Sequence, residues 1–238
     1  MKIIGISGLA GDGKDTVCKI LHNFFLEKTK YQFYRISLAD KLKLDCREAC
    51  VDLFGINPLY CSREQKDKIR DFLVFYGKIM RFREPKGTYW TSEAYKKILE
   101  IANEKTIICV PDIRYATYPE DECQWIKKNN GIHIHVKKFK LITDFSFGKT
   151  TGIKKVYSVP VNAEEETNTP IVEKMADYIL EWQDCSPQSP ENNKSAIKAV
   201  YKIAQQINDT YMTQESQSDT QKAKKPSKPS QKVGMPIA

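Results

Sequence analysis

A glycine-rich segment near the start of the chain has the residue types and spacing of a loop that holds phosphate. Residues 8–14 read GLAGDGK, which matches G-x-x-x-x-G-K, and they stand between an apolar run and a helical pattern. In such a loop the glycines let backbone N–H groups turn around a phosphate, while the lysine bridges two phosphates. The alternative is a glycine turn with a solvated lysine. The segment predicts an ATP site formed by Gly8, Gly11, Asp12, Gly13 and Lys14.

The residue after the lysine departs from the usual loop. That place normally holds a hydroxyl that ligates Mg²⁺, but here it holds Asp15, and Thr16 follows one position later. A carboxylate is also a hard oxygen ligand for Mg²⁺. We therefore expect Asp15 to bind the metal and Thr16 to serve the phosphates. The alternative is that Asp15 is only a helix-start residue, favoured there by the helix dipole.

A second group of charged residues follows an apolar run at 106–110. Asp112 closes this run, so it predicts a second carboxylate for Mg²⁺, and Arg114 lies two residues further on. Arginine suits phosphoryl transfer because its guanidinium stays charged and binds phosphate in bidentate fashion. We expect Lys14, Asp112 and Arg114 to be the catalytic residues. The alternatives are a turn-starting aspartate and a surface ion pair.

A helical pattern over residues 62–82 carries two further arginines. Arg70 and Arg81 are eleven positions apart, which is three helical turns, so they share one face. Two arginines on one face could hold the phosphate of an acceptor, although each could instead form a surface ion pair. Trp90 could stack on a base or pack against the same helix.

The spacing of apolar residues predicts an α/β fold. Strands are expected at 2–7, 31–37, 106–112 and 132–139, with helices between them at 38–55, 62–82, 91–103 and 121–130. Alternating strands and helices imply a parallel sheet flanked by helices, of the P-loop NTPase type. Pro111 cannot donate to a strand ladder, so the third strand is expected to end at Val110.

The later part of the chain is less regular. Residues 140–170 lack a clear period, and the lysines and glycines of 137–160 suggest a basic lid or a solvated loop. We expect one domain over 1–210. Residues 211–238 are poor in large apolar side chains and are expected to be a disordered basic tail.

Composition excludes some classes of protein. The 238-residue chain has a net charge of +8, and no apolar run approaches the roughly 20 residues of a membrane span. Its seven cysteines show no metal-site spacing, which favours reduced thiols and a cytoplasmic location. His133 and His135 alternate on a strand without further metal ligands, so a structural role is expected.

Four stretches occur in an order that resembles one enzyme family. SGLAGDGKDT, SLADKLKLDCREACVDLFG, RDFLVFYGKIMR and VPDIRY are similar to motifs of the phage and viral deoxynucleoside monophosphate kinases. The resemblance covers roughly residues 1–182. The family's late Ser-Glu pair is matched here only by Asn162, Glu164 and Glu165.

The resemblance implies transfer of the γ-phosphoryl of ATP, with Mg²⁺, to a deoxynucleoside monophosphate for DNA synthesis. It implies a small helical acceptor-binding part over about 38–103, in which Asp40 and Lys43 line the pocket and Arg70 and Arg81 hold the acceptor phosphate. The implied partners are small nucleotides only, with no membrane and no specific nucleic acid. The chain would be a monomer or homodimer in the cytoplasm, the host's if the source is a virus or phage.

Two other functions remain open from the residues. One is a P-loop kinase of another phosphorylated small metabolite, because the residues do not identify a base. The other is a nucleic-acid-associated P-loop ATPase that uses the basic tail for binding.

Overall fold

Strands and helices alternate along residues 1–146, 149–184 and 194–223, which are described by a computed structural model. The strands are β1 (Lys2–Ser7), β2 (Gln32–Arg35), β3 (Thr106–Ile113), β4 (Ile132–Ser146), β5 (Lys149–Tyr157) and β6 (Tyr178–Gln183). The helices are α1 (Lys14–Lys28), α2 (Leu38–Asp45), α3 (Arg47–Phe54), α4 (Arg63–Phe82), α5 (Tyr89–Ile101), α6 (Glu122–Lys128), α7 (Ala163–Lys174) and α8 (Lys194–Ala223).

The strands form one six-stranded sheet with the order β2-β3-β1-β4, and β6 pairs with the other side of β4. All of these pairings are parallel, whereas β5 runs antiparallel to the far half of β4. The parallel α/β sheet predicted from the sequence is confirmed. Its carboxyl ends meet at one edge, where ligands of such sheets bind.

Helices cover both faces of the central strands β1 and β3, whose side chains are buried on both sides of the sheet. Ile3 of β1 belongs to a core that includes Ile98 of α5 and Ile126 of α6. On β3, the buried thiol of Cys109 interacts with that of Cys18 on α1. A strand that is apolar on both faces is typical of a buried parallel sheet.

The helix predicted over residues 38–55 is two helices. They meet at Cys46, and α3 ends at Gly55 in the left-handed conformation, as its glycine allows. Cys46 and Cys50 are both buried in a small core with Ile69 and Leu73 of α4. The division lets both helices pack against α4, a tertiary effect that periodicity alone does not show.

The prediction that the third strand ends at Val110 is wrong, because β3 continues through Pro111 to Ile113. The register with β1 is irregular at this place, where Gly5 pairs with Val110 but Ser7 pairs with Ile113. Such a bulge leaves a residue without a ladder partner, so the missing N–H of Pro111 is tolerated.

The segment expected to be an irregular lid forms regular structure. The two strands β4 and β5 form a hairpin over most of 137–160, although Gly148 lies outside the described residues. Its lysines are largely paired: Lys137 contacts Glu173 at 2.8 Å and Lys155 contacts Glu181 at 2.8 Å. Cross-strand pairing supplies the order that the weak apolar pattern did not predict.

The predicted boundary at 210 falls inside α8, so the predicted disorder does not begin at 211. Gln, Lys and Ala in this stretch are good helix formers, which explains the continued helix. Residues 224–238 lie outside the described part.

The chain divides into two compact units, 1–204 and 205–238, and every candidate site residue belongs to the first. Among the described helices, none combines the length and the apolar character that a membrane crossing requires.

Candidate active site

The phosphate loop connects β1 to α1 and has three glycines with positive φ. Their φ values are 139° at Gly8, 87° at Gly11 and 87° at Gly13, which other residues rarely adopt. A Cβ on Gly8 would also stand 2.4 Å from the carbonyl oxygen of Val136 on β4. The loop conformation therefore requires glycine, and it turns the loop backbone toward the sheet edge.

Trp182 at the end of β6 packs against this loop. Its indole N–H donates to the carbonyl oxygen of Asp12 at 2.9 Å, and a Cβ on Gly13 would lie 2.2 Å from its ring. The carboxylate of Asp12 in turn accepts the N–H of Leu9 at 3.1 Å. Nothing local in the sequence pairs Trp182 with the loop, so the sequence predicts no role for it.

Lys14 is the first residue of α1 and reaches back over the loop. Its Nζ donates to the carbonyl oxygens of Gly8 and Leu9, both at 2.8 Å. Burial, together with the charge of Arg114, lowers the pKa of Lys14 to about 8. An anion bound in the loop would favour the charged form of Lys14, as expected for a lysine that binds phosphate.

Asp15 lies on the exposed side of the first turn of α1. One of its oxygens, Oδ1, accepts from Nε of Arg35 at 3.1 Å and from Nη2 at 2.9 Å, and its side chain is 78% exposed. Arg35 ends β2 and also lies 3.9 Å from Asp40. Thr16 is half-buried beside them. Arg35 was missed by the sequence analysis, since it stands alone at the end of a short strand.

Asp112 holds the start of α2. Its carboxylate accepts from Ser37 Oγ at 2.6 Å, from the N–H of Leu38 at 3.0 Å and from the N–H of Ala39 at 2.8 Å. These bonds satisfy backbone donors that a helix start leaves free. The residue thus joins the end of β3 to α2, a structural role that the sequence analysis did not predict.

The carboxylates near the loop fit Mg²⁺ only if nucleotide and water supply most of the ligands. Within the described residues, no group of three or more His, Cys, Asp or Glu side chains could hold a metal. Mg²⁺ commonly uses one or two carboxylates together with phosphates and water. Asp15 has its second oxygen available for this purpose, whereas both oxygens of Asp112 already accept hydrogen bonds.

A cavity of about 150 Å³ opens beside the loop, at the carboxyl edge of the sheet. Apolar side chains of α2, α4 and α5, among them Leu42, Leu73 and Trp90, form part of its wall. A smaller cavity adjoins it and is lined by Gly8, Arg114 and Glu165. The charged residues of the larger cavity are Lys43, Lys66, Arg70, Arg81, Asp112, Arg114, Glu122 and Glu164.

Arg114 lines both cavities and therefore stands between the loop and the larger cavity. Its guanidinium contacts Glu165 Oε1 at 2.9 Å. Glu165 also accepts the N–H of Ala10 in the loop at 3.3 Å. Asn162 caps α7 by accepting the N–H of Glu165 at 2.9 Å. This Asn-x-x-Glu spacing is a helix-start pattern that could have revealed α7 and Glu165.

Lys66 is a basic residue of the cavity that the sequence analysis missed. It lies one turn before Arg70 on α4, and Lys43 of α2 also lines the cavity. Burial lowers the pKa of Lys66, and the charges of Lys43, Arg114 and Arg70 lower it further. Several cations that line one cavity form a site that favours an anion. The helical spacing from Arg70 is the signal that could have found Lys66.

Arg70 and Lys43 each have an acidic neighbour on their own helix. Arg70 pairs with Asp67, and Lys43 lies 3.8 Å from Asp40. Asp40 itself is not among the residues that line the cavity. Lys43 and Arg70 are therefore brought together with Arg114, whereas Asp40 lies outside the cavity near Lys43 and Arg35.

Arg81 is buried rather than placed at the surface. It pairs with Asp121, and its guanidinium lies 3.5 Å from the ring centre of Tyr115. Asp121 also accepts the N–H groups of Thr117 and Tyr118, both at 3.2 Å. The arginine is thus fixed in the cavity wall before any ligand arrives.

Trp90 packs against α4, as the alternative interpretation predicts. Its indole N–H donates to the carbonyl oxygen of Gly77 at 3.2 Å, and only 5% of the residue is exposed. Because its polar atom is already bonded, the indole presents only an apolar surface to the cavity. The stacking role of Trp90 stays a prediction.

Glu122 is a buried acid in the same wall. Its Oε2 accepts the N–H of Arg114 at 2.6 Å and that of Tyr115 at 3.1 Å. Burial, together with the charge of the nearby Asp121, raises the pKa of Glu122 to about 8. The residue positions the backbone that carries Arg114.

The two histidines of β4 lie on either side of one serine. Ser7 Oγ is 2.7 Å from His133 Nε2 and 2.8 Å from His135 Nδ1. Burial lowers the pKa of both histidines to about 4, so they are neutral at pH 7. They support the end of β1, which fits the structural role predicted from the sequence.

No family model matches the chain, and no curated protein matches its sequence. A solved shikimate kinase from Acinetobacter baumannii in complex with shikimate is 13% identical, with a TM-score of 0.41 over 88% of this chain and 94% of that one. An APS kinase from Mycobacterium tuberculosis is 14% identical, with a TM-score of 0.35 over 87% and 94%. Kti12 from Chaetomium thermophilum, in complex with ADP-AlF3, is 12% identical, with a TM-score of 0.37 over 84% and 96%. At these values the fold assignment rests on the strand order and the loop of this chain.

Proposed function

We propose that the chain is a P-loop kinase that transfers the γ-phosphoryl of ATP to a deoxynucleoside monophosphate, giving a deoxynucleoside diphosphate and ADP. The observation that carries the kinase proposal is a cavity lined by the cations Lys66, Arg70 and Arg114, which shares Arg114 with the smaller cavity at Gly8 of the phosphate loop. The choice of a deoxynucleotide comes from the sequence resemblance alone, and a cytoplasmic location comes from the resemblance and from the cysteine pattern.

The proposed reaction needs positioning more than acid–base chemistry. An oxygen of the acceptor phosphate forms a bond to the γ-phosphorus while the bond to the β-phosphate oxygen breaks, and its electron pair leaves with ADP. The attacking oxygen is already anionic near neutral pH, because the second pKa of such a phosphate is about 6. The chain therefore has to hold two anions in line and offset their charge.

The residues divide these tasks between donor and acceptor. The loop backbone and Lys14 would hold the β- and γ-phosphates, and Arg114, which lines both cavities, would lie between the two anions. Lys66 and Arg70 would hold the acceptor phosphate, with Lys43 nearby. Mg²⁺, when bound, would offset charge on the β- and γ-phosphates, and Asp15 is the residue that could hold it.

The test is an ADP-release assay with Mg²⁺ and ATP against a panel of acceptors. The panel contains deoxynucleoside monophosphates, ribonucleoside monophosphates, phosphorylated sugars and cofactor precursors, and the matching nucleosides without phosphate. Rapid turnover with one or more deoxynucleoside monophosphates, and none with the nucleosides, is expected. Turnover only with another phosphorylated metabolite would overturn the substrate assignment and leave a P-loop kinase.

A nucleic-acid-associated ATPase makes a different prediction. Binding to DNA would then weaken steeply with salt, since each neutralised phosphate contributes about 0.9 to the slope of log K against log salt. We expect no such steep binding, and a DNA-stimulated ATPase without an acceptor would contradict the kinase proposal.

A further inference from the structure

Arg63 reaches the phosphate loop from the helix that lines the acceptor cavity. It is the first residue of α4, and its Nη2 lies 3.5 Å from the point where a Cβ on Gly11 would stand. Gly11 is exposed in the middle of the loop. A guanidinium at this place lies within reach of a phosphate held by the loop.

Within the described part of the chain, Arg63 forms no ion pair, unlike the three arginines that line the larger cavity. Arg70, Arg81 and Arg114 pair with Asp67, Asp121 and Glu165 respectively. For Arg63, the described part of the chain provides neither an ion pair nor a hydrogen bond to the side chain. Its charge is therefore available to a ligand.

The start of α4 does not need this charge. Ser62 accepts the N–H of Gln65 at 3.2 Å, and Gln65 accepts the N–H of Ser62 at 2.9 Å, so the helix is capped without Arg63. A cation in the first turn is also disfavoured by the helix dipole. Stability of the helix does not explain an arginine at this position.

Arg63 continues the basic row of α4. Positions 63, 66 and 70 are spaced by three and four residues, so they share one face of the helix. Lys66 and Arg70 line the acceptor cavity, while Arg63 lies at the loop end of the same row. The row therefore runs from the donor phosphates to the acceptor.

We propose that Arg63 is a catalytic residue that contacts the γ-phosphoryl group during transfer. The proposal rests on the function proposed above and adds a residue to it. As the bond from the acceptor oxygen to the γ-phosphorus forms and the bond to ADP breaks, the equatorial oxygens keep their negative charge. Arg63 offsets that charge from the side of α4, and Lys14 offsets it from the loop.

The test combines nucleotide binding with kinetics in Arg63→Ala, Arg63→Lys and the control Lys68→Ala. Lys68 is an exposed residue of the same helix that does not line the cavity. Titration with a non-hydrolysable ATP analogue and with ADP measures whether the γ-phosphate is contacted. Arg63→Ala should weaken binding of the ATP analogue about tenfold and binding of ADP less than twofold, whereas Lys68→Ala should change neither affinity.

Turnover gives the second readout. Arg63→Ala should lower kcat by about 10² or more, because an arginine on the transferring phosphoryl group is commonly worth at least that. Arg63→Lys should restore part of it, and the melting temperature should not fall. An equal loss of affinity for the ATP analogue and for ADP, or an unchanged kcat in the folded Arg63→Ala variant, would overturn the assignment. If no acceptor gives ADP with the unaltered chain, the proposed function fails, while the contrast between analogue and ADP still decides whether Arg63 contacts the γ-phosphate.

Discussion

The phosphate loop and the larger cavity are built in opposite ways. The loop is one contiguous segment. Its glycines give the backbone its shape, and the side chain of Lys14 folds back across it. The cavity takes its charges from separate helices and from the end of β3, and a carboxylate pairs with each of its three arginines. A site formed by backbone depends on local conformation, whereas a site formed by side chains depends on the whole fold.

The largest expected effect is on the loop side. Lys14→Ala should reduce turnover by about 10³ or more, since a lost charged contact to the transferring group is worth several kcal/mol and about 1.4 kcal/mol is tenfold in rate. The melting temperature should stay the same or rise, because the variant no longer buries a charge. ADP release at nearly the normal rate by the folded variant would contradict the kinase proposal, with Lys68→Ala as the matched control.

Next in size are the cations of the cavity. Lys66→Ala and Arg70→Ala should each raise the KM for the acceptor by about 10- to 100-fold, as expected for a charged hydrogen bond of about 1.5–3 kcal/mol. The KM for ATP should change little, because neither residue lines the smaller cavity beside the loop. A rise in the KM for ATP instead would show that the division between loop and cavity is wrong.

The same contrast explains which features of the fold and of the site can be predicted from the sequence. The loop, β1 and the capped start of α4 follow from local patterns, and the parallel sheet follows from the alternation of strands and helices. Trp182 and Arg35 act through partners that are distant in sequence, so no local pattern assigns them a role. Lys66 and Glu165 do carry local signals, namely the helical spacing from Arg70 and the Asn-x-x-Glu start of α7. The β4–β5 hairpin also depends on pairing between strands, which apolar periodicity did not detect.

The loop should impose a pH dependence on ATP use. The pKa of Lys14 is lowered to about 8 by burial, so the free protein loses this charge as pH rises through about 8. The value of kcat/KM for ATP should therefore fall about tenfold per pH unit above that point. Lys14→Arg keeps its charge at these pH values, and any residual activity should lack this fall. A profile of the unaltered chain that stays flat to pH 9.5 would contradict the assignment.

The cavity wall should affect stability instead. Because burial raises the pKa of Glu122 from 4.5 to about 8, the folded chain keeps a proton that the unfolded chain has lost between these values. The folded state binds more protons there, so this group lowers stability as pH rises through that window. Glu122→Gln does not titrate and can still accept the two backbone N–H groups. Its melting temperature relative to the unaltered chain should rise by a few degrees from pH 5 to pH 8; a constant difference would contradict the assignment.

The smallest expected effect concerns Asp15, which belongs to the loop by sequence but points away from it to Arg35. An exposed ion pair contributes at most about 1 kcal/mol, so Mg²⁺ beside a bound nucleotide could draw the carboxylate away from Arg35. Asp15→Ala should then raise the Mg²⁺ concentration for half-maximal rate a few-fold, and Asp15→Ser should restore much of it, since it recreates the usual hydroxyl. Arg35→Ala leaves Asp15 free for the metal and should lower the Mg²⁺ requirement. If Asp15→Ala leaves the Mg²⁺ dependence unaltered, Asp15 is a helix-start residue paired with Arg35, and the metal is held by phosphates and water.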